Sequence, residues 1–313
     1  MISKKINFDP NQRELIKPIL PGLPISLFSS VFSPETYTCI NWHWHEAFQY
    51  CIVIEGKVDF LIPGQIYTVT AGSGIFINYQ QPHMIKAHDE KGTSRYLCLD
   101  VPPSFISYDE HSRIFQRYLK PVMNQPVPPV MILSKHAAET SNILSSILTI
   151  QKLLQSEEPL IEIDIRIQIM SIWKETFLKL QQRSQAITNA SFYNNHDRLK
   201  TIFLYFREHY GEKISLDDVA AQISLSRSEC SRFFKKQTGE SMFDYLNSYR
   251  INKSIDLLRD TDMSIAEIAS TVGFCSQSYY TDCFRKLKKI TPKKYKELSS
   301  RQAKGILSID STD

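Results

Sequence analysis

The last third of the chain contains one two-helix pattern twice, at a spacing of about 50 residues. The first copy extends from Ser215 to Gly239, and the second extends from Ser264 to Leu287. Equivalent residues lie 49 positions apart in the first helix and 50 apart in the second, so the second turn has one extra residue. This repeat constrains the fold more than the composition does, because each copy must bury an equivalent apolar face.

The first helix and the turn of each copy predict a close crossing of two helices. The pairs Val219-Ala220 and Ile268-Ala269 occupy equivalent positions on the inner face of the first helix. A side chain longer than Ala would force the two helices apart at this point. Gly or Ser in the turn can adopt the tight backbone angles that the crossing needs.

The second helix of each copy has the features of a helix that enters the DNA major groove. It starts after Ser226 or Ser276, which can cap the helix N-terminus. Phe233 or Phe234 in the first copy and Phe284 in the second can anchor it in the core. Its outer face carries short polar and basic side chains, which suit a major groove. A single copy would fit an ordinary amphipathic hairpin equally well, and the duplication favours DNA binding.

Residues 197–298 resemble the DNA-binding domain of the AraC/XylS family of bacterial transcription regulators. The resemblance rests on the segments Gly239–Tyr245, Arg250–Leu258, Ile265–Phe274 and Ile290–Tyr295. It implies two helix-turn-helix units on a rigid connector, which enter successive major grooves on one face of the DNA.

The resemblance and the helical periodicity together select the side chains that would contact DNA. Arg232 is the strongest candidate, because a guanidinium can bind O6 and N7 of guanine together. Lys235, Lys236 and Arg285 fit contacts to phosphates. Gln277 can pair with an adenine edge. The full predicted set is Arg227, Ser228, Ser231, Arg232, Lys235, Lys236, Ser276, Gln277, Ser278, Thr281, Asp282 and Arg285.

Asp282 departs from the Arg that the family often has at its position. A carboxylate can accept a hydrogen bond from cytosine N4 but repels phosphate, so the second unit would be either more selective or weaker. The alternative is an ion pair with Lys286, four residues on along the same helix. Arg250, on the connector, is predicted to be structural rather than to contact a base.

The composition agrees with about two globular domains. The 313 residues are 42% hydrophobic and 22% charged. Residues 197–298 contain 18 Lys and Arg against 14 Asp and Glu, whereas the two signs balance in the rest of the chain. The whole net charge of +4 therefore lies in the repeat domain, where it would attract phosphate.

The sequence predicts a cytoplasmic protein without disulfides or membrane segments. Its six Cys residues include no Cys-x-x-Cys pair, and several lie in predicted DNA-binding helices, where they act as small apolar residues. Apolar runs stay well below 18 residues, and Met1–Pro10 lacks the apolar core of a signal peptide.

Residues 25–133 are predicted to form a small double-sheet jelly roll. Its short strands would lie between Ile25 and about Val101, and the proline-rich residues 102–129 would form a crossover with at most one helix. Val58–Ile62 and Ile66–Thr70, joined by a turn at Pro63-Gly64-Gln65, have the signature of a β-hairpin. Residues 1–24 precede them as an extended arm, which in some family members touches the ligand or the DNA-binding domain. A plain disordered terminus is the alternative. The other predicted strands are Ser26–Phe32, Tyr37–Trp42, Phe48–Glu55, Ile75–Ile77 and Tyr96–Val101.

This segment resembles the cupin-type sensor domain that is common in the family. Cupin relatives carry His-x-His, a Glu four residues on, a Gly and a distant His. The equivalent residues are His43, His45, Gln49, Gly56 and His83. His43 and His45 alternate along a strand, so both side chains point to one face.

Three interpretations of these histidines remain open: a three-nitrogen metal site, the lining of an organic ligand pocket, and structural residues. Gln49 replaces the acidic ligand, and neutral amides bind transition metals poorly, so we expect no metal and no cofactor. Trp42 and Trp44 would either stack on a sugar ring or belong to the barrel shell. The predicted effector-pocket residues are His43, His45, Gln49, His83, Trp42 and Trp44.

Residues 134–184 are predicted to form two antiparallel helices. Ser134 can cap the first, which would continue to about Gln155. Ile161–Ile169 alternates as a strand does, but an apolar helical stripe continues to Leu180, which favours a helix. Such a pair forms the dimer surface in relatives, and the alternative is that it only covers the barrel.

The predicted architecture is α+β with two domains. A cupin-like jelly roll with its helical pair comes first, and an all-α domain with two helix-turn-helix units follows. Residues 185–196 would join them as a polar linker, and residues 299–313 would form a loose tail.

We therefore expect a ligand-responsive transcription regulator, an activator that dimerises on double-stranded DNA. Its partners would be a small-molecule effector, with a sugar as one candidate, a second copy of the chain, and RNA polymerase. A barrel enzyme is one alternative, although Gln49 weakens the metal set and no nucleophile–base constellation or phosphate loop is evident. A DNA-binding protein whose barrel serves only for dimerisation is the other.

Overall fold

The computed structural model describes residues 18–20, 22–34, 39–124, 128–156, 159–184 and 190–298. Its contacts divide the chain into two compact units, Met1–Asp197 and Arg198–Asp313. Most of the predicted arm, residues 185–189 of the predicted linker, and the predicted tail lie outside the described residues.

The strands of the first unit form a double-sheet jelly roll, as the sequence predicted. Among the described residues, one antiparallel sheet has the order β1-β8-β3-β6-β9 and the other has the order β2-β7-β4-β5. Sequence analysis missed β7 and β9, which are short and carry no flanking Gly turn. The strands are β1 Ser26–Phe32, β2 Cys39–His43, β3 Phe48–Glu55, β4 Lys57–Ile62, β5 Gln65–Thr70, β6 Gly74–Ile77, β7 His83–Ala87, β8 Ser94–Val101 and β9 Val130–Leu133.

Two apolar layers hold the first unit together. One lies between the sheets and includes Phe28 from one sheet and Phe60 from the other. The second lies on the outer face of the larger sheet, where Tyr50 packs with the helical residues Ile147 and Ile169. Because β3 is covered on both faces, it is an almost continuous apolar run rather than an alternating one.

The helices of the first unit lie between β8 and β9 and after β9. Residues 102–129 were predicted to be a crossover with at most one helix, and they contain two short helices and a π-helical turn, Phe115–Leu119. The predicted cap at Ser134 is wrong, because helix α3 begins after Ala137, which makes no side-chain cap. Ser134 Oγ instead accepts a hydrogen bond from the amide of His136. The helices are α1 Pro103–Ile106, α2 Lys120–Asn124, α3 Ala138–Leu153 and α4 Ile161–Ser184.

Helix α4 confirms the helical prediction and explains why its sequence alternates. Ile165 and Ile169 are buried in the outer apolar layer. Ile163 and Ile167, which belong to the opposite face, are 57% and 56% exposed. The strict alternation of Ile therefore comes from a helix with apolar residues on two faces.

The second unit is all-α and contains the predicted repeat. Helix α5 begins at Ala190, so residues 190–196, which the sequence assigned to the linker, are helical. No helix of the described part of the chain is both long and apolar enough to cross a membrane. The helices are α5 Ala190–His209, α6 Leu216–Gln222, α7 Arg227–Thr238, α8 Met242–Asp260, α9 Ile265–Thr271, α10 Gln277–Lys288 and α11, residues 292–298.

The two helix-turn-helix units use left-handed backbone at equivalent positions. The turn residues Ser224 and Gly273 have φ of 52° and 87°. The residues that end α7 and α10, Gly239 and Lys289, have φ of 82° and 63°. The non-Gly residue is Ser224 in the first helix-turn-helix unit and Lys289 in the second. Each unit therefore holds one non-Gly residue in a conformation that disfavours side chains.

Candidate nucleic-acid interface and ligand site

Helix α7 is fixed both at its N-terminus and on its inner face. Ser226 accepts a hydrogen bond from the Glu229 amide, and the Glu229 carboxylate accepts one from the Ser226 amide at 3.0 Å, which makes a capping box. The buried Phe234 ring lies 5.6 Å from the ring of Tyr245 on α8. Phe234 is thus the core anchor, and Phe233 is only half-buried.

The outer face of α7 is polar and basic. Arg227 lies 3.7 Å from Asp217 on α6, and both side chains are exposed, so the ion pair contributes little to stability. Sequence analysis did not identify this pair, because its members belong to different helices. The residues predicted to contact DNA from α7 are all exposed: Arg227, Ser228, Ser231, Arg232, Lys235 and Lys236.

Helix α10 is held in the same way as α7. Ser276 caps its N-terminus. The Phe284 ring lies 5.7 Å from the ring of Tyr295, as Phe234 does from Tyr245 in the first unit. A further tie has no counterpart in α7: the buried hydroxyl of Tyr280 donates to Ser254 Oγ on α8 at 2.8 Å.

The outer face of α10 differs from that of α7 in charge. Asp282 pairs with Arg285 at 3.0 Å, so the intrahelical partner is Arg285 and not Lys286. Thr281 is half-buried, and its hydroxyl donates to the carbonyl of Gln277 at 2.8 Å. The other residues predicted to contact DNA from α10 are exposed: Ser276, Gln277, Ser278, Asp282 and Arg285.

The structure brings the three predicted histidines together inside the barrel. His43 and His83 stand opposite each other on β2 and β7, with ring centroids 4.1 Å apart. The ring of His45 lies 5.1 Å from that of His83. His83 shares a face of β7 with Ile85, which packs between the two sheets. The cluster is buried, with exposures of 2% or less for each histidine.

Each imidazole of the cluster is oriented by the backbone. Nδ1 of His43, His45 and His83 lies 2.8, 3.0 and 2.8 Å from a carbonyl oxygen. Since a carbonyl can only accept, Nδ1 carries the proton of each neutral ring and Nε2 becomes an acceptor.

Burial keeps these rings neutral. Loss of hydration, followed by the nearby His45, lowers the pKa of His43 to about 3. Burial first, and then the charges of His43 and His45, place the pKa of His83 well below its usual value. At neutral pH both rings are therefore uncharged.

Gln49 extends the polar interior, and it has a partner that sequence analysis missed. Gln49 Nε2 donates to Asp100 Oδ1 at 2.9 Å, and both residues are buried on β3 and β8. Asp100 interrupts the apolar run of β8, which was the available signal of an inward-facing charge. The Oε1 atom of Gln49 and Nε2 of His83 are buried acceptors without a hydrogen-bond partner in the protein.

Trp42 and Trp44 are both buried, with exposures of 1% and 7%. They lie in β2 and directly after it, beside the histidines. Among the residues that the structure describes, no group of three His, Cys, Asp or Glu side chains is arranged to hold a metal ion.

Comparison with known proteins gives matches over both units. Residues 33–160 match the family described as the AraC-like ligand binding domain, and residues 219–298 match a helix-turn-helix domain family. The chain is 31% identical over 298 residues to the uncharacterized HTH-type transcriptional regulator YdeC of Bacillus subtilis (strain 168), covering 95% of this chain and 100% of that one.

A second relative is the HTH-type transcriptional activator RhaS of Klebsiella pneumoniae (strain 342). It is 27% identical over 288 residues, with 86% of this chain and 87% of that one covered. Among solved structures, unsaturated fatty acid-bound ToxT from Vibrio cholerae strain SCE256 matches with a TM-score of 0.43 and 14% identity. The match covers 87% of this chain and 94% of that one.

Proposed function

Because this chain belongs to the AraC family of transcriptional regulators, we propose that it activates transcription by reading two successive major grooves of one DNA duplex. Helices α7 and α10 would enter the grooves, and a small molecule in the barrel would control binding. One observation carries the proposal: both helices are capped by Ser, are anchored by equivalent Phe residues, and present an exposed polar face.

The two reading faces have different chemistry, which predicts different roles. On α7, Arg232 supports base recognition, and Lys235 and Lys236 support phosphate contacts. On α10, Asp282 neutralises Arg285 at 3.0 Å, so this helix attracts phosphate less. We infer that α7 supplies most of the affinity and that α10 adds sequence selectivity.

The test is selection of DNA by the full-length protein. Duplexes from a randomised pool would be enriched on the protein at physiological salt, sequenced, and compared with a pool that had seen no protein. We expect a motif with two half-sites about one helical turn apart, because two reading helices on one face of DNA require this spacing. Enrichment of no motif would contradict DNA reading by this chain.

The barrel interior supports a ligand that carries hydrogen-bond donors. His83 Nε2 and Gln49 Oε1 are buried acceptors, and the Asp100 carboxylate lies beside Gln49. A sugar or another polyol offers hydroxyl donors to such a lining, whereas a carboxylate would add negative charge next to Asp100. The effector is therefore proposed to be a polyhydroxy compound.

Thermal shift measurements on the full-length protein test this ligand class. A panel of sugars and polyols is compared with carboxylic acids of similar size. We expect a polyol to raise the melting temperature and the variants Gln49→Leu and His83→Phe to lose that shift. His88→Ala is the control, because the His88 ring pairs with Asp59 at 2.9 Å and is 45% exposed. A shift by acids alone would contradict the assignment.

Helix α4 supports assembly of two copies. Its outward stripe has steps of three and four residues and is formed by Leu160, directly before the helix, and by Ile163, Ile167, Ser171, Lys174 and Leu178. The apolar members Leu160, Ile163, Ile167 and Leu178 are 59%, 57%, 56% and 45% exposed. An antiparallel second copy that crosses at Ser171 would place Ile163 of each helix near Leu178 of the other, with a small residue where the axes meet.

Analytical ultracentrifugation tests the dimer. Ile163→Glu with Ile167→Glu should turn a dimer into a monomer, because carboxylates would be buried in the contact. Ile66→Glu is the matched control, since Ile66 is an equally exposed residue of β5, 63% accessible. A monomeric wild-type protein at micromolar concentration would rule the contact out.

The role as an activator is supported by the relative RhaS, which is named as a transcriptional activator. An activator would bring RNA polymerase to the promoter. Transcription in vitro from a promoter that carries the selected motif tests this role, and we expect more transcript when the protein is added. Less transcript would instead identify a repressor.

A further inference from the structure

Arg250 occupies a buried joint between the two helix-turn-helix units. It lies on α8, and only 8% of its surface is exposed. Its Nε donates to the carbonyl of Tyr210 at 2.8 Å, and its Nη2 donates to the carbonyl of Glu212 at 2.7 Å. Both carbonyls belong to the turn between α5 and α6, directly before the first helix-turn-helix unit.

The same guanidinium contacts the turn of the second helix-turn-helix unit, between α9 and α10. Its centre lies 5.8 Å from the ring centroid of Phe274. A Cβ atom at Gly273 would lie 2.8 Å from Arg250 Nη2 and 2.2 Å from the carbonyl oxygen of Tyr210. The turn before α6 and the turn between α9 and α10 are therefore packed directly on each other, with Arg250 between them.

This joint adds a second mechanical connection to the one through α8. Each reading helix is attached to α8 separately, α7 through Phe234 on Tyr245 and α10 through Tyr280 on Ser254. With only those attachments, bending or twisting of one helix would change the distance between the two reading helices. The contact between the two turns connects the two helix-turn-helix units a second time. Two connections together resist changes in the distance between the reading helices.

We propose that Arg250 is the positioning residue that sets the half-site spacing which this protein accepts, an inference that rests on the proposed reading of DNA by both units. Arg suits this role because its planar fork makes two hydrogen bonds in fixed directions. Lys would keep the charge but lose this geometry. Arg250 is too buried to be a phosphate contact itself.

Fluorescence anisotropy with the full-length protein tests the proposal. Three duplexes are used: the selected motif, the same motif with the half-sites moved apart by five base pairs, and one half-site alone. We expect the wild-type protein to bind the moved motif on the order of 100-fold more weakly, because one unit no longer engages. In Arg250→Lys and Arg250→Met we expect this penalty to fall to less than about 10-fold.

Affinity for the single half-site separates positioning from folding. In Arg250→Lys it should stay within about twofold of the wild-type value, since α7 and α10 keep their own caps and anchors. Arg259→Met is the matched control on α8, because Arg259 pairs with exposed carboxylates of Asp256 and Asp260. Circular dichroism melting confirms that each variant is folded.

Three results would overturn the inference. A full spacing penalty in folded Arg250→Lys and Arg250→Met would show that α8 alone fixes the spacing, while the proposed DNA reading stands. Equal weakening on the single half-site and on the intact motif would make Arg250 a residue of folding only. If the wild-type protein prefers no sequence, both the inference and the proposed function fail together.

Discussion

Cys51 and Cys98 face each other across β3 and β8, with their sulfur atoms 2.6 Å apart. Both residues are completely buried between the two sheets. Directly paired residues of antiparallel strands have Cα atoms about 4.5–5.5 Å apart, which lies within the range of a disulfide. The strands therefore already hold the two thiols at a separation from which a disulfide can close.

We predict that hydrogen peroxide oxidises this pair, with two thiols and one peroxide giving one disulfide and two water molecules. The bond would close a loop of 47 residues and raise the free energy of unfolding by about 2–4 kcal/mol. Intact mass and peptide mapping under non-reducing conditions check the bond, and urea unfolding checks the stability. Cys51→Ser should abolish both effects, and a bond at Cys39 or Cys275 instead would contradict the prediction.

The strand pairing that creates this contact was not accessible from the sequence. Local alternation and turn residues predicted β1, β3 and the hairpin of β4 and β5, because these signals are local. The register of β3 on β8 is set by packing between residues that lie far apart in sequence. For that reason six cysteines without a local motif led to the expectation of no disulfide.

The candidate sites divide in the same way. The exposed faces of α7 and α10 and the histidine cluster were predicted, because repeat periodicity and the His-x-His spacing fix which residues share a face. Asp100 was not predicted, and Arg250 was predicted to be structural but without its partners. The partners of Arg250 are the carbonyl groups of Tyr210 and Glu212, and backbone groups leave no signature in the sequence.

Gly273→Ala should destabilise the second unit strongly. The new methyl group would lie 2.2 Å from the Tyr210 carbonyl oxygen, and φ of 87° disfavours any side chain. We expect a loss of about 2–4 kcal/mol in the free energy of unfolding, measured by urea denaturation. Gly239→Ala is the matched control, since its φ is 82° but nothing lies within 4 Å. It should cost only about 1 kcal/mol, and equal losses would argue against the steric joint.

Lys289→Gly should stabilise the protein. Lys289 ends α10 with φ of 63°, whereas the equivalent residue of the first unit is Gly239. Removing the side chain relieves left-handed strain of about 1 kcal/mol. Urea denaturation measures the gain, and Lys288→Gly, inside the helix, should instead lose about 1 kcal/mol. A loss in Lys289→Gly would mean that its side chain matters more than its backbone.

The stability of the first unit should fall as the pH drops below about 6.5. Burial lowers the pKa of His43 to about 3 and that of His83 well below its usual value, so the unfolded chain binds protons first. The stabilisation is complete above the unfolded pKa of about 6.5 and is lost as the pH falls toward about 3. His43 should contribute about 1.4 kcal/mol per pH unit within this window, and His83 adds a loss in the same direction.

Urea denaturation at pH 7, 6 and 5 checks this slope. His43→Asn combined with His83→Asn should flatten the dependence, because Asn has no proton to gain. An unchanged slope in the double variant would mean that other groups dominate the acid sensitivity.

Arg232→Ala should weaken binding to the selected motif by about 1–3 kcal/mol and remove the preference at one base pair. The exposed guanidinium on the outer face of α7 can make two hydrogen bonds to one guanine, and other bases cannot replace both. Lys236→Ala should instead weaken all sequences alike and reduce the salt dependence by about one counterion. Anisotropy titrations with each base in turn, at several salt concentrations, distinguish the two patterns. A uniform loss in Arg232→Ala would reassign Arg232 to a phosphate and leave base reading on α7 to Ser228 and Ser231.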